Sequence, residues 1–561
     1  LPSARQGDPV RHRSGVEPIA QGSDSVRTNG LPTSRKDDLV SCADPILEGS
    51  PNVNIGAPTG VACSICPNGM AVGNPVNPML GAKVQGGETD LFLPGPLPFA
   101  LSRDYSSYQT DTPAPIGLLG PGWRLPAETS VLQSGEQLTL NDTKGRSIRF
   151  EALAPGEVSY SRSEGLWLVR GGASRLNNSP LALAWQAIPE ALRLHAGCIF
   201  IANTPLGPWW IHGPSDLSFD DQPSAKQPKQ AKAPAPDIEG QRLLLQGQID
   251  RFGHTLRYTR SEDKKWQQAI TGVQDGAGRR YRLELIKLPR IATDKGRQGW
   301  GSDSGIRLAA VYLTHDPGHG GLSAAVVRYE YTPRGELAAV HGRDGTQARR
   351  FDYHPQLTGR MVAHAWPGRE AISRYEYNDD GRVSLQTNPG ALDYRFEYQK
   401  DATVVTDSLG RKQTYHFKGE GGLRRAVRIE QSDGSAIANE YNANGQLIST
   451  TDELGRQTRY LINPVNGNLL TLTAPGGQRH DFEYDRHGNL SSVRSGGQVR
   501  ESRQYDNLGR LTVQTNALGQ STHYRYSDKQ SQQPSEIEDA KGGVKKLQWN
   551  QAGQITSYSD C

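Results

Sequence analysis

Apolar and polar positions alternate along most of this chain, and glycine interrupts the alternation at short, regular intervals. In FEYDRHGNL, residues 482–490, Phe482 and Tyr484 stand two apart, so both side chains leave the same face of a strand. Gly488 then supplies the positive φ of a tight reversal, and Leu490 restarts the next strand. The unit recurs as YNANGQL, NPVNGNL, YDRHGNL and YDNLGRL, with Gly445, Gly467, Gly488 and Gly509 separated by 22, 21 and 21 residues. A degraded YSDKQSQ and then WNQAGQI follow, the latter with Gly553. Earlier, YEYTPRGEL, FDYHPQLTGRM and YEYNDDGRV place Gly335, Gly359 and Gly381 at intervals of 24 and 22. Each unit has a second turn, as in TDSLGRKQTY, TDELGRQTRY and TNALGQSTHY. Two strands of ~8 residues and two turns make a hairpin of ~21 residues. A fixed period of this size predicts a repeat architecture in which units stack on their neighbours, here as a continuously growing antiparallel sheet.

From about 127 to 300 the alternation is still strand-like, as in RLLLQGQIDRFGHTLRYTR, but its period is blurred. SAKQPKQAKAPAPD, residues 224–237, lacks aromatics and reads as a solvent-exposed loop. AIPEALRLHA, around Ile188, reads as a single short helix. Between 61 and 126 prolines and glycines are dense and interleaved with Leu, Phe and Trp123, which describes a chain held by packing. The first sixty residues carry a different repeat: LPSARQGDPVRH, residues 1–12, aligns with LPTSRKDDLVSC, residues 31–42, at an offset of 30. Short β-branched pieces bounded by Asn-Gly, Gly-Ser and Pro suggest hairpins there.

The 63 glycines among 561 residues fit a chain of many turns. Sixty-three basic against 59 acidic residues give a formal charge of +4, which argues against a dedicated nucleic-acid or membrane surface. No apolar run reaches the ~20 residues that span a bilayer, and no signal-peptide pattern is present. Five cysteines are too few and too unevenly placed for a disulfide scaffold, so synthesis in a reducing compartment is expected. Leu1 opens inside one motif and Cys561 closes inside a repeat, so both ends read as cuts in a longer protein.

Three groups of residues carry a family resemblance. LPxxR and GSxxV, recurring within the first sixty residues, resemble the PAAR family, small conical β-domains that cap the spike of the type VI secretion system. NPVNPMLGAKV, ETDLFLPGPLPFALSRDYSS and GLLGPGW resemble the opening of the Rhs family, and the tyrosine-aspartate units resemble its YD repeat. The resemblance implies an all-β protein. A PAAR-like cone (1–60) would precede a plug segment (61–126), a divergent part of the shell (127–300) and a coiled YD-repeat shell (301–561). The implied function is that of a structural carrier. It is made in the bacterial cytoplasm, caps a spike trimer, encloses a carboxy-terminal toxin and leaves without a signal peptide, with a chaperone and an immunity protein as further partners. The alternative is an extracellular YD-repeat adhesion or wall-associated recognition protein. No catalytic constellation stands out in the sequence, so the chain is expected not to be an enzyme itself.

His12 and Cys42 occupy equivalent positions in the two amino-terminal repeats, and PAAR domains hold zinc near the tip with His and Cys. The resemblance therefore assigns zinc to His12 and Cys42, with further ligands expected upstream of Leu1 or from Cys63 and Cys66. Without it, His12 reads as a surface residue beside Arg11 and Arg13, Cys42 as a small buried hydrophobe, and Cys63 and Cys66 as separate thiols in a linker. HDPGHGG, residues 315–321, is similar in part to the family's autoproteolytic motif but reads as a glycine-rich hairpin loop. Asp407, Asp452, Asp485 and Asp506 read as turn residues, because a calcium loop gathers 6 to 8 oxygens and each of these sites offers one carboxylate.

Overall fold

The computed structural model describes residues 60–560 apart from 68, 111, 177–178, 218, 220–237, 292–298, 322–323 and 369, together with the backbone of four short strands before residue 60. Those strands form two hairpins, Pro9–His12 with Gly15–Pro18 and Arg27–Thr28 with Leu31–Pro32. The expected loop at 224–237 lies outside the described residues.

One sheet of 35 strands dominates the described chain. From Val158–Ser161 to Ile555–Ser559 every strand pairs antiparallel with its neighbours in sequence, as a hairpin array requires. The meander forks once. Strand Arg242–Ile249 pairs along one side with Trp209–Gly213, and its other side is shared between Ser130–Ser134 and Thr255–Arg260. Two short helices, Ala182–Gln186 and Glu190–Arg193, stand where the sequence suggested one. Pro189, at φ −48° and ψ 137°, leaves the helical region and starts the second.

The repeat turns have a common construction. Asp485 Oδ1 accepts the backbone N–H groups of His487 (2.8 Å) and Asn489 (2.9 Å), and Gly488 follows at φ +82°. The register then slips between Glu483 and Tyr484, so that Tyr484 faces Leu490. Asp407, Asp452 and Asp506 clip their turns in the same way, and each also pairs with the arginine four residues on. The repeated aspartates thus spend their oxygens on their own backbone.

Each repeat tyrosine ties its hairpin to the one before it. Tyr398, Tyr484, Tyr505 and Tyr526 donate from the phenol to the carbonyls of Val383, Leu469, Leu490 and Leu511, each 15 residues upstream, at 2.5 to 2.9 Å. Such a bond contributes about 1 kcal/mol, and here it recurs along the wall.

The ribbon has two margins. Turns of the Tyr-Asp type, such as 485–489 and 506–510, form one; turns 407–411, 452–456 and 516–520 form the other. A sheet of this length must curl, because its strands twist in one hand. It curls back onto itself: Tyr160 Oη donates to Asn466 O at 3.0 Å across 306 residues, and Arg162 Nε donates to Pro464 O at 3.1 Å. Pro205 and Leu206 lie against the turns of Gly488 and Gly509. One coil of the wall therefore rests its tyrosine margin on an earlier coil.

Candidate functional site: the inner wall and its plug

Along the wall, alternate side chains point to opposite faces, and the two faces differ in chemistry. On strand Arg479–Tyr484, Arg479 and Glu483 are exposed, whereas His480, Phe482 and Tyr484 are half-buried. On Gln347–Tyr353 the face of Arg349 and Phe351 is buried and that of Arg350 is exposed. What covers that face is residues 73–126. There, strands Val76–Asn77, Ala82–Leu91, Leu101–Ser106 and Trp123–Arg124 make a sheet of their own.

This plug is fastened to strands far away in sequence. Tyr105 Oη donates to Gly359 O at 2.7 Å and accepts from Met361 N at 2.8 Å. Trp123 Nε1 donates to Tyr353 Oη at 2.8 Å, and Thr403 Oγ1 donates to Pro78 O at 2.8 Å. Phe99, Leu119 and Trp123 join Leu308, Val311 and Phe351 in a single buried cluster. Fully burying one such side chain is worth ~1.5–3 kcal/mol, so apolar contact supplies most of the attachment.

Charge is buried in the same interface. Arg103, 1% exposed, meets Glu88 at 2.5 Å and Asp90 at 2.8 Å, and its guanidinium lies 4.8 Å from the Trp123 ring and 5.1 Å from that of Phe351. Burial pulls its pKa down, but Asp90 and Glu88 outweigh that and hold it above the usual arginine value. Glu88 also meets Arg349 of the wall at 2.5 Å, and Asp90 accepts from Tyr329 Oη at 2.8 Å. Arg349 Nη2 lies 3.4 Å from His364 Nδ1, and His364 Nε2 lies 3.1 Å from Tyr375 Oη. Arginine can only donate, so His364 accepts at Nδ1 and carries its proton on Nε2. Burial, with Lys83 and Arg349 adding to it, lowers the His364 pKa to about 2 and keeps the ring neutral. Lys83 is fully buried, with Nζ 2.9 Å from Val84 O and 5.0 Å above the Tyr375 ring; burial pushes its pKa well below the usual lysine range.

The plug does not cover the whole inner face. Among the described residues the buried apolar core ends at Ala426. Beyond it the same face continues through Tyr441, Phe482, Tyr484, Tyr505, Tyr524 and Trp549, all half-buried. The sequence expectation that Phe482 and Tyr484 share a face holds.

The expected zinc ligands are not brought together by anything described. His12 ends the strand Pro9–His12, and Cys42 lies outside the described residues. Cys63 and Cys66 are partly exposed free thiols, and among the described residues no group of three or more His, Cys, Asp or Glu could hold a metal. Residues 315–321 form the expected turn, with Asp316 Oδ1 accepting from Gly318 N at 2.9 Å. The buried charges of the plug were not legible in the sequence, since Arg349 lies far along the chain from Glu88 and Arg103.

The fold and the site together define a coiled antiparallel β-shell with an internal plug. Residues 441–461 match the RHS repeat, 484–558 the teneurin YD-shell and 73–150 a domain of unknown function, DUF6531. The chain is similar to the toxin protein Tse5 of Pseudomonas aeruginosa, 34% identical over 95% of this chain and 38% of that one. It is also similar to double-stranded DNA deaminase toxin A of Burkholderia cenocepacia, 25% identical over 62% of this chain and 20% of that one. A third relative is the probable deoxyribonuclease RhsB of Dickeya dadantii, 27% identical over 30% of this chain and 11% of that one. The chain thus spans well under half the length of these relatives. Among solved structures, TcdB2-TccC3-Cdc42 matches 82% of this chain and 22% of that one, with a TM-score of 0.39 and 10% identity. The family profiles and the likeness to Tse5 support the RHS/YD-repeat family for this chain.

Proposed function

We propose that this chain is the carrier part of an RHS toxin, in which the coiled wall encloses a toxin domain and the amino-terminal residues dock on a type VI secretion spike trimer. The observation that carries this reading is the inner face. Its first half is filled by the chain's own plug, and its second half presents aromatic side chains with nothing described against them. A half-buried row of Phe482, Tyr484, Tyr505 and Trp549 suits a captured polypeptide, because large aromatic rings gain from further burial. The likeness to Tse5 supports the same reading. In it the shell carries and does not catalyse, and export from the cytoplasm uses the spike. A chaperone and an immunity protein are the further partners, and a zinc ion on His12 and Cys42 fixes the tip.

The test is site-specific photocrosslinking in the full-length protein. A photoreactive residue at Phe482 or Tyr505 should crosslink to the carboxy-terminal part of the same chain, and one at Arg479 or Glu483 should not. Equal yields from the two faces, or none from the inner one, would remove the carrier reading.

A further inference from the structure

Just ahead of the plug, one short strand enters the wall. Val61–Ala62 pairs with Ile148 and Arg149, and the pairing is extended at either end by Gly60 N donating to Arg149 O at 2.7 Å and Cys63 N to Ser147 O at 2.8 Å. Ser161 and Ser163 donate from their hydroxyls to Gly60 O. Gly422 closes over the strand, with Ala62 Cβ 2.9 Å from the point where a Cβ on that glycine would stand.

Cys63 and Cys66 follow this strand directly, both partly exposed and both free. Their loop is pinned at each end. Cys63 is held by Ser147 O, the fully buried Asn77 donates from Nδ2 to Pro67 O at 2.8 Å, and Gly69 N donates to Cys66 O at 3.0 Å. In an extended chain, residues three apart stand about 10 Å from each other, beyond the ~7 Å between α-carbons that a disulfide can bridge. The backbone bends at Cys63 and Ser64, which shortens that span. Arg146, the residue before Ser147, brings a cation to Cys66. Burial pulls the Arg146 pKa down, but Asp142, Glu164 and the charge of a Cys66 thiolate hold it above the usual arginine value. A thiolate on Cys66 therefore forms beside a cation, the setting in which cysteines attack disulfides. Cys198 is the contrast: it is fully buried, and burial pushes its thiol pKa up.

We infer that Cys63 and Cys66 are a redox pair, which a disulfide oxidant closes into a bridge that locks the entering strand against the wall. The Cys66 thiolate attacks one sulfur of the oxidant and expels the other as a thiolate, leaving a mixed disulfide. Cys63, its proton given up to solvent, then attacks the Cys66 sulfur and expels the second thiolate. One S–S bond breaks in the oxidant and one forms in the protein. Two electrons pass to the oxidant, and the two protons end on the thiols it releases. The strand has only two paired residues of its own, so fixing the loop that follows it limits how far it can fray. A metal is a poorer occupant of the pair, because two thiols are half of a zinc set and no group of three or more His, Cys, Asp or Glu stands together among the described residues.

The test equilibrates the folded 561-residue chain with mixtures of reduced and oxidised glutathione, quenches in acid, and sequences peptic fragments by mass spectrometry. Cys63 and Cys66 should lose two hydrogens together, while Cys198 stays reduced. The folded chain should close the bridge at a proportion of oxidised glutathione about tenfold lower than the same chain unfolded in urea, because the loop is held in place. Cys63→Ser should stop at the first step, with glutathione retained on Cys66. In the oxidised chain, amide exchange of residues 61–66 should slow about tenfold relative to the reduced chain, and Cys63→Ser should show no such change. Separate glutathione adducts on both cysteines, or a bridge from either one to Cys42, overturn the pairing, as do equal oxidation of the folded and unfolded chains and thiols that resist oxidation until a zinc chelator is added. A bridge that forms without slowing exchange overturns the lock.

Discussion

Replacing Arg103 with methionine isolates what the buried charge contributes to seating the plug. Methionine keeps part of the packing against Trp123 and Phe351 but leaves Glu88 and Asp90 without their shared cation. Breaking a buried pair from one side costs ~3–5 kcal/mol, since the remaining charge stays desolvated. Two partners soften that loss, Arg349 on Glu88 and the Tyr329 hydroxyl on Asp90, while the lost contact with two rings adds ~1–2 kcal/mol. The net expectation is about 4 kcal/mol of local destabilisation. For amides of Leu101–Ser106 that exchange through local opening, this corresponds to roughly a thousandfold faster hydrogen exchange, with the late wall unaffected. Arg103→Lys should recover the charge but not the fork that reaches both carboxylates, and should fall between the two. An acceleration below tenfold in the methionine variant would mean that the carboxylates relax to water and that the plug is held by apolar contact alone.

Four further outcomes follow from the geometry. The His364 pKa is lowered in the folded chain to about 2, so the stability it carries is complete above the ordinary histidine value and is lost as pH falls below it. Between pH 6.5 and 5 that loss is about 2 kcal/mol, and His364→Gln should abolish this part of the pH dependence of amide protection in Met361–Ala365; equal losses in both proteins would refute it. Gly509→Ala should cost more than Gly519→Ala, as read by amide exchange of the flanking strands. Both give up a positive φ at ~1–2 kcal/mol, but only Gly509 meets a neighbour, Leu206. Tyr484→Phe removes the bond to Leu469 O and should weaken protection of the adjoining strands by about 1 kcal/mol, with no change at Tyr398. Metal analysis of the protein with its complete amino terminus should find one zinc per chain, lost in a His12→Ala, Cys42→Ala double variant; zinc retained there would remove those residues as ligands.

The local features of this protein were legible because they repeat. Gly488 at positive φ, the shared face of Phe482 and Tyr484, and the turn role of Asp485 and Asp506 follow from spacing within one unit. Relations between units were not legible. Nothing in the letters shows Tyr505 reaching the carbonyl of Leu490, because a tyrosine on a strand face reads equally well as core. The pairing of Glu88 with Arg349 and of Asp90 with Tyr329 was not legible, because those partners lie far along the chain and a period of about 21 carries no information across that distance. The fork at Arg242–Ile249 and the division of one expected helix into two at Pro189 fall in the stretch where the period is blurred.

The meander also fixes an order of events. Each wall strand beyond the fork takes its hydrogen bonds from strands just before and just after it, so the sheet can lengthen at a single growing edge as the chain emerges during synthesis. Residues 73–126 precede every strand they are finally enclosed by. The plug is therefore present before its socket, and the wall is laid down around it, one hairpin at a time. Contacts that join coils, such as Tyr160 with Asn466, wait for 306 further residues, and the plug's own bonds to the wall complete as late, Pro78 with Thr403 after 325. Assembly from the inside outward lets this architecture enclose a segment without opening a wall that has already closed.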